Sequence, residues 1–170
     1  MNKVTHTRHY PRSFPLVWSI LVLAALYGCT EAGETTRADS IEAIERQHTE
    51  IWSKGNLGVI AEIYTEDFVG HFPGGRLVNG HDGIQSTVES HRQAFPDWHE
   101  DVIRILVDGH FAVSQFRSSG THQGEFLGHP ASGNRIEITE TCIYRMVDGR
   151  IAEQWVYPDI ASMQTQLSSE

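Results

Sequence analysis

The spacing of apolar residues predicts helices in the first half of the chain and mainly strands in the second. From Ser40 to Trp52, apolar side chains recur every three or four residues, which is typical of an amphipathic helix with Ser40 as its N-cap. Gly55 ends this helix, and Asn56 can cap a second, shorter one. Residues 81–94 repeat the helical period, so a third helix is predicted there.

The second half of the chain is organised as strands joined by tight turns. The predicted strands are residues 67–72, 98–107, 111–119, 135–147 and 150–157. Two pairs, Asp108-Gly109 and Asp148-Gly149, lie between strand-like runs and predict hairpin turns. A short terminal helix is predicted from Asp159. Helices packed on one face of a curved antiparallel sheet make an α+β fold, which is the fold class we expect.

A run of glycines follows the strand predicted at 111–119. Gly120, Gly124 and Gly128 stand among polar residues, and glycine at the end of a strand marks a bend or a close approach of two backbones. We expect this run to bend the sheet around a pocket, with His122 beside the bend. The alternative is a long hairpin connection that has no functional role.

The first residues of the chain predict export rather than folded structure. Basic residues within positions 3–12 precede an apolar stretch, 14–27, that is too short for a membrane span of about 20 residues. The segment Leu26-Tyr27-Gly28-Cys29 resembles a bacterial lipobox. We therefore predict a lipoprotein-type signal peptide at 1–28, lipidation of Cys29, a tether at 29–38 and one folded domain at 39–170. An uncleaved N-terminal anchor is the alternative.

Both alternatives predict that the domain is exported and held at the membrane of the cell envelope. With a lipid on Cys29, the destination is the outer membrane if the host has two membranes. The chain has two cysteines, so a lipid on Cys29 would leave Cys142 without a disulfide partner. Since no activating base adjoins Cys142 in the sequence, we expect a buried structural thiol there.

Charge and motifs exclude several functions. The formal net charge of −9 argues against binding of nucleic acid or an anionic surface. The chain has ten histidines, but beyond the predicted signal peptide no two have the spacing of a metal-binding pair on a strand or a helix, so no metal site is expected. There is no nucleophile elbow, phosphate loop or dinucleotide fingerprint, and no cofactor is expected.

Four ordered segments resemble the SnoaL-like polyketide cyclases, a family also called ester cyclases. They are Ala94-Phe95-Pro96-Asp97, the run from Gly120-Thr121-His122 to Gly128, Tyr144-Arg145 with Asp148-Gly149-Arg150-Ile151, and Glu153-x-Trp155-x-x-x-Asp159. The resemblance covers residues 48–167. It implies a cone-shaped fold like nuclear transport factor 2, in which a strongly curved antiparallel sheet and helices on one face enclose a cavity for a small apolar ligand. It also implies a homodimer paired through the exposed sheet.

The resemblance further implies an activity and a catalytic residue. Family members with known chemistry close a ring by an intramolecular aldol reaction without a cofactor, using one aspartate as acid and base. That aspartate falls at Asp159, where partial burial would raise its pKa into a useful range. The alternative role for Asp159 is the N-cap of the terminal helix. His122 is the second catalytic candidate, as a hydrogen-bond donor to a ligand oxygen, and its alternative is a partly exposed histidine at a strand end.

Four more residues are predicted to bind substrate. Trp155 and Phe68 are expected to face the cavity, and His71 is expected near its mouth. Arg117 either binds the ligand or forms a structural salt bridge, with Glu140 as the expected carboxylate partner. Two functions follow as alternatives: a cyclase or isomerase that acts on an apolar carbonyl substrate, or a membrane-tethered module that binds a ligand without turnover.

Overall fold

The computed structural model describes residues 37–168. The predicted signal peptide, Cys29 and most of the tether lie outside the described residues. The first helix, α1, includes residues 37–52, where 37–46 are α-helical and Gln47–Trp52 form a wider π-helix. The predicted N-cap is therefore wrong, because Ser40 lies inside α1 and is fully buried.

The remaining elements follow the predicted order, with the addition of one short strand, Arg76–Asn79, that was not predicted. A 3₁₀ turn, Leu57–Val59, leads into the single turn α2, Ile60–Ile63. The others are β1 Tyr64–Phe72, β2 Arg76–Asn79, α3 Gly80–Ala94, β3 His99–Asp108, β4 Phe111–Thr121, β5 Arg135–Val147, β6 Arg150–Pro158 and α4 Ile160–Ser168. Between residues 37 and 168, no helix is both long enough and apolar enough to span a bilayer.

The six strands form one open sheet in the order β2-β1-β6-β5-β4-β3. All neighbours are antiparallel except β1 and β6, which run parallel. The prediction of a wholly antiparallel sheet is therefore wrong at this one pair. Apolar periodicity indicates which side chains are buried but not which strands pair, so a long-range parallel pair leaves no local signal.

The two faces of the sheet have different roles. In β5 the buried residues alternate with more exposed ones, and the buried set includes Ile138, Cys142 and Tyr144. Helices α1, α3 and α4 pack against this inner side of the domain. The outer face carries an apolar row across four strands, formed by Leu106, Val113, Ile143 and Trp155. The homodimer predicted through this face stays a prediction.

Both predicted hairpins are confirmed. In the β5–β6 turn, Asp148 has φ 48° and Gly149 has φ 73°, as a type I′ turn requires at its two central positions. In the β3–β4 hairpin the loop residues are Gly109 and His110, one position later than the Asp-Gly pair, because Asp108 still pairs with Phe111.

The glycine run marks a close approach of two backbones, as predicted. A Cβ atom on Gly120 would lie 2.8 Å from the Trp98 ring, and one on Gly124 would lie 2.7 Å from the carbonyl oxygen of Gln93. The end of β4 and the loop after it are thereby held against the C-terminal end of α3. This contact positions residues 125–127 over the inner face of the sheet.

Candidate active site

A cavity of about 430 Å³ lies between the inner face of the sheet and the helices. Its walls come from α1, α3, α4, the inner positions of β3 to β6, the loop after β4 and the turn that joins β1 to β2. The volume lies within the range of roughly 300–1,000 Å³ that is usual for small-molecule sites. Aromatic and aliphatic side chains make up about half of these walls, and the polar groups among the other lining residues determine the chemistry of the cavity.

A buried histidine–carboxylate pair, His48 and Glu100, lies in the wall of the cavity. His48, in the π-helical part of α1, places Nδ1 2.6 Å from Oε2 of Glu100 on β3. The side chains are only 1% and 6% exposed. The second carboxylate oxygen of Glu100 accepts a hydrogen bond from Trp98 Nε1 at 3.1 Å. Both oxygens of Glu100 are thus occupied by donors from the protein itself.

The pair terminates a chain of buried hydrogen bonds. The hydroxyl of Tyr64 donates to the side-chain carbonyl of Gln47 at 2.7 Å, and the Gln47 amide donates to the hydroxyl of Tyr144 at 2.7 Å. The Tyr144 hydroxyl lies 2.8 Å from that of Ser114, and Ser114 lies 3.1 Å from His48 Nε2. This chain links α1 to the inner face of three strands.

The donor direction is fixed at the two ends of this chain. The Gln47 amide donates to the Tyr144 hydroxyl, and His48 Nδ1 donates to the carboxylate of Glu100. Between these ends, the hydroxyls of Tyr144 and Ser114 and the Nε2 of His48 lie within 3.3 Å of one another, and the order of their protons follows the tautomer of His48. The chain therefore holds the carboxyl of Glu100 inside the wall of the cavity.

A second carboxyl, Glu140, lies on the same inner face. It occupies an inward position of β5, opposite Phe116 on β4 and Pro158 on β6, and it is 9% exposed. Burial, together with the negative charge of Glu100, raises the pKa of Glu140 to about 8. At neutral pH this carboxyl holds a proton that it exchanges near physiological pH. A buried carboxyl whose pKa lies near neutrality is typical of acid/base sites.

Two further polar side chains of the lining, His91 and Gln154, are neutral. Burial, helped by the positive charges of Arg92 and Arg76, lowers the pKa of His91 to about 3, so its imidazole is neutral. Gln154 on β6 donates from its amide to the sulfur of Cys142 at 3.3 Å, but its carbonyl oxygen has no partner among the described residues. Burial raises the pKa of Cys142, which agrees with the predicted structural thiol.

A family model for SnoaL-like polyketide cyclases matches residues 42–167, nearly all of the residues that the structure describes. The chain belongs to this family. No curated protein gives a significant match.

Solved structures of similar proteins agree with the family assignment. A candidate SnoaL-like polyketide cyclase from Jannaschia sp. CCS1 is 25% identical and superposes with a TM-score of 0.73, covering 78% of this chain and 94% of its own. IdmH from Streptomyces antibioticus, a candidate polyketide cyclase, is 28% identical with a TM-score of 0.67, covering 76% and 99%. AclR from Streptomyces galilaeus, a candidate hydroxylase, shares the fold at 23% identity with a TM-score of 0.63, covering 79% and 96%.

In this SnoaL-like chain, Asp159 lies outside the cavity lining. Its neighbours Pro158 and Ile160 contribute to the wall, but its own side chain is exposed. The carboxylate accepts hydrogen bonds from the backbone N–H of Ser162 at 3.0 Å and from the Ser162 hydroxyl at 2.7 Å. These hydrogen bonds lower the pKa of Asp159. The contacts are those of a helix N-cap, and a catalytic role for Asp159 stays a prediction without a contact to the cavity.

Replacement of Asp159 by alanine is expected to lower the melting temperature by a few degrees, because α4 would lose its cap. Asp159→Asn is expected to retain most of the stability, since asparagine is also a good N-cap. Thermal unfolding followed by circular dichroism measures both. An alanine variant as stable as the wild type would show that the cap contributes nothing.

His122 is fully buried rather than partly exposed, and it does not line the cavity. Its Nδ1 accepts a hydrogen bond from the backbone N–H of Ser132 at 3.2 Å, and its ring stacks on Phe95 with centroids 5.3 Å apart. Its backbone also bonds to Gly133 and Asn134. The contacts are those of a residue that fastens both ends of the loop after β4, and its predicted catalytic role has no support from them.

The four predicted substrate-binding residues do not line the cavity either. Trp155 and His71 stack on the outer face with centroids 5.1 Å apart, and Glu153 accepts a hydrogen bond from His71 at 2.9 Å. Phe68 is buried in the core. Arg117 is exposed and lies 3.7 Å from Glu137, so the expected partner Glu140 is corrected.

For Trp155 and Arg117 the reason is the alternation of side chains between the two faces of the sheet. In β6 the residues that line the cavity are Gln154, Val156 and Pro158, which are one position out of step with Trp155. Adjacent residues of a strand point to opposite faces, so this single step moves the whole set of side chains outside. In the same way, Glu140 pairs with inward-facing Phe116 and not with Arg117.

The sequence analysis did not identify Glu140, His48 or Glu100 as site residues, and only Glu140 had a recognisable signal in the sequence. Glu140 stands at an inward position between Ile138 and Cys142, and a carboxyl in such a row is unusual. His48 stood on the apolar face of the first helix, where it looked like a core residue. Glu100 had no local signal, because only the contact with His48 distinguishes it.

Among residues 37–168, no group of acidic, histidine and cysteine side chains could hold a metal ion.

Proposed function

We propose that this protein is an acid/base enzyme that removes a proton next to a carbonyl group of a small, mainly apolar substrate, as a cyclase or an isomerase. The observation that carries the proposal is Glu140, a buried carboxyl on the cavity wall whose pKa is raised to about 8. A general base is most effective when its pKa lies close to the working pH. A carboxyl with an ordinary pKa would be a much weaker base.

His91 supplies the second part of the proposed mechanism. Removal of a proton alpha to a carbonyl leaves negative charge on the carbonyl oxygen, which needs a hydrogen-bond donor. The neutral imidazole of His91 lies on the wall that α3 contributes. A neutral histidine can donate to the developing enolate without first protonating the carbonyl. The proton moves to Glu140, and the electron pair of the C–H bond moves to the carbonyl oxygen.

The enolate then has two outcomes that match the two reaction types. In a cyclase, its carbon attacks a second carbonyl in the same molecule, a C–C bond forms, and the new alkoxide takes the proton back from Glu140. In an isomerase, Glu140 returns the proton to a different carbon. Neither sequence consumes an oxidant, a reductant or a cofactor.

Exchange of α-hydrogens in D₂O tests the proposal without knowledge of the natural substrate. A bicyclic ketone such as 1-indanone is incubated with the protein, and the loss of its α-proton signal is followed by NMR. We expect the wild type to accelerate exchange, with a rate that rises with pH up to about pH 8 as Glu140 ionises. Glu140→Gln is expected to abolish the acceleration.

Glu137→Gln is the matched control, because Glu137 lies on the same strand but is exposed. It should exchange the ketone at the wild-type rate. If the ketone binds but the wild type does not accelerate exchange at any pH, the protein is a ligand-binding module and the proposed enzyme activity is wrong. If Asp159→Asn abolishes exchange while Glu140→Gln does not, the base is Asp159.

A further inference from the structure

Arg76 stands at the rim of the cavity. It is the first residue of β2, it contributes to the cavity lining, and its side chain also reaches solvent. Two contacts hold the guanidinium in place. Its Cζ atom lies 4.7 Å from the centroid of the Phe72 ring, and Nη1 donates to the hydroxyl of Thr87 at 3.2 Å. Both partners are uncharged, and both also line the cavity.

No carboxylate neutralises this cation. Within the described part of the chain, no acidic oxygen lies within 4.0 Å of Arg76, whereas Arg46 and Arg145 both form ion pairs at 3.0 Å or less. Arg76 is an exposed residue, and burial of part of its side chain lowers the pKa of its guanidinium. Its positive charge also contributes to the lowered pKa of His91, so its field reaches the cavity.

The net charge of the chain, −9, gives an anion no general attraction to this protein. Attraction at the rim must therefore come from Arg76 itself. Glu125, in the loop after β4, also lines the cavity. It accepts a hydrogen bond from the backbone N–H of Gly128 at 3.0 Å. Its charge remains at the rim and disfavours a second negative group on the ligand.

We infer that the substrate is a monoanion, such as a carboxylic acid, whose charged group binds Arg76 while its apolar part enters the cavity. The inference rests on the proposed function in one respect, since it concerns the ligand of the same cavity. A planar guanidinium with free N–H groups binds a carboxylate through two parallel hydrogen bonds. The substrate would thus be oriented with its charge at the rim and its reacting carbonyl towards Glu140.

Two fluorescent probes of nearly the same shape test the inference. 8-Anilinonaphthalene-1-sulfonate is an apolar monoanion, and N-phenyl-1-naphthylamine is the same skeleton without the charged group. Both become brighter when they leave water for an apolar cavity. We expect Arg76→Gln to weaken binding of the sulfonate probe by about ten-fold, the loss typical of one charge-assisted contact, and to leave the neutral probe unchanged.

Two further variants separate a specific contact from a general charge effect. Arg76→Lys keeps the charge and is expected to retain part of the affinity for the sulfonate probe. Arg104→Gln removes the same charge from an exposed position that does not line the cavity, and it should bind both probes as the wild type does. Melting temperatures of all variants show whether each is folded.

The other possible results of these binding experiments distinguish failure of the inference about Arg76 from failure of the proposed enzyme activity. If Arg76→Gln weakens both probes equally, or neither, the ligand has no anionic contact at Arg76 and the inference is wrong, while the proposed activity of Glu140 is unaffected. If the wild type binds neither probe, the cavity takes no ligand of this size and the inference is wrong, while the exchange of ketone α-hydrogens still tests the proposed function. If both probes bind as expected but ketone exchange is absent, only the proposed enzyme activity fails.

Discussion

Glu140→Gln is expected to make the protein more stable above pH 5 and to do so increasingly up to about pH 8. The pKa of Glu140 is raised from 4.5 to about 8 by burial and by the charge of Glu100. The folded protein therefore holds this proton more tightly than the unfolded chain does. Since the unfolded chain releases the proton first, the free energy of unfolding of the wild type falls between pH 4.5 and about 8.

Glutamine removes this loss because it never ionises. One unit of pKa difference corresponds to somewhat more than 1 kcal/mol, so the variant is expected to gain about 3 kcal/mol at pH 7 and almost nothing at pH 4. Urea unfolding of both proteins at several pH values measures the difference. Groups whose pKa is lowered, such as Asp97 and Glu153, are common to both proteins and cancel. A constant difference at every pH would contradict the raised pKa of Glu140.

Glu100→Ala is expected to destabilise the protein by about 3–5 kcal/mol, because it breaks a buried pair and leaves its partners behind. The variant strands the Nδ1–H of His48 and the indole N–H of Trp98, whose acceptor is Glu100 at 2.6 Å and 3.1 Å. Two buried donors that lose their acceptor carry much of the cost of desolvation. Chemical denaturation measures the loss of stability.

Glu137→Ala is the control for this prediction, since it removes a carboxylate from an exposed position of the sheet and should change stability by no more than about 0.5 kcal/mol. The milder variant Glu100→Gln tests the link to Glu140. Without the negative charge of Glu100, the pKa of Glu140 should decrease, and the pH window of Glu140 should move down with it. Equal losses of stability for Glu100→Ala and Glu137→Ala would show that the pair contributes nothing.

Local signals were sufficient for most of the secondary structure. The strand Arg135–Val147 has its predicted bounds, because strict alternation and a following Asp-Gly turn define both of its ends. The four-residue strand Arg76–Asn79 was missed, since it is too short to show a period and follows two glycines. The parallel pair of β1 and β6 could not be predicted, because partners so far apart in sequence share no local pattern.

The candidate site was harder to predict than the fold. The family resemblance directed attention to Asp159, whose contacts are those of the alternative role, a helix N-cap. The polar groups inside the cavity come from α1, α3, β3, β5 and β6. Whether Glu140 faces Arg117 or Phe116 depends on the register of β4 and β5, which the 13-residue connection 122–134 leaves open. His48 and Glu100 are 52 residues apart, and only the folded sheet brings them together.

The last strand of the chain is an interior strand of the sheet. β6 lies between β1 and β5, so within the sheet it alone joins β1 and β2 to the β3–β5 meander. During synthesis, the sheet can therefore exist only as two separate parts, and it becomes continuous only after residues 150–158 have left the ribosome. Such a dependence on distant contacts is characteristic of slow folding, during which unpaired strand edges are open to aggregation.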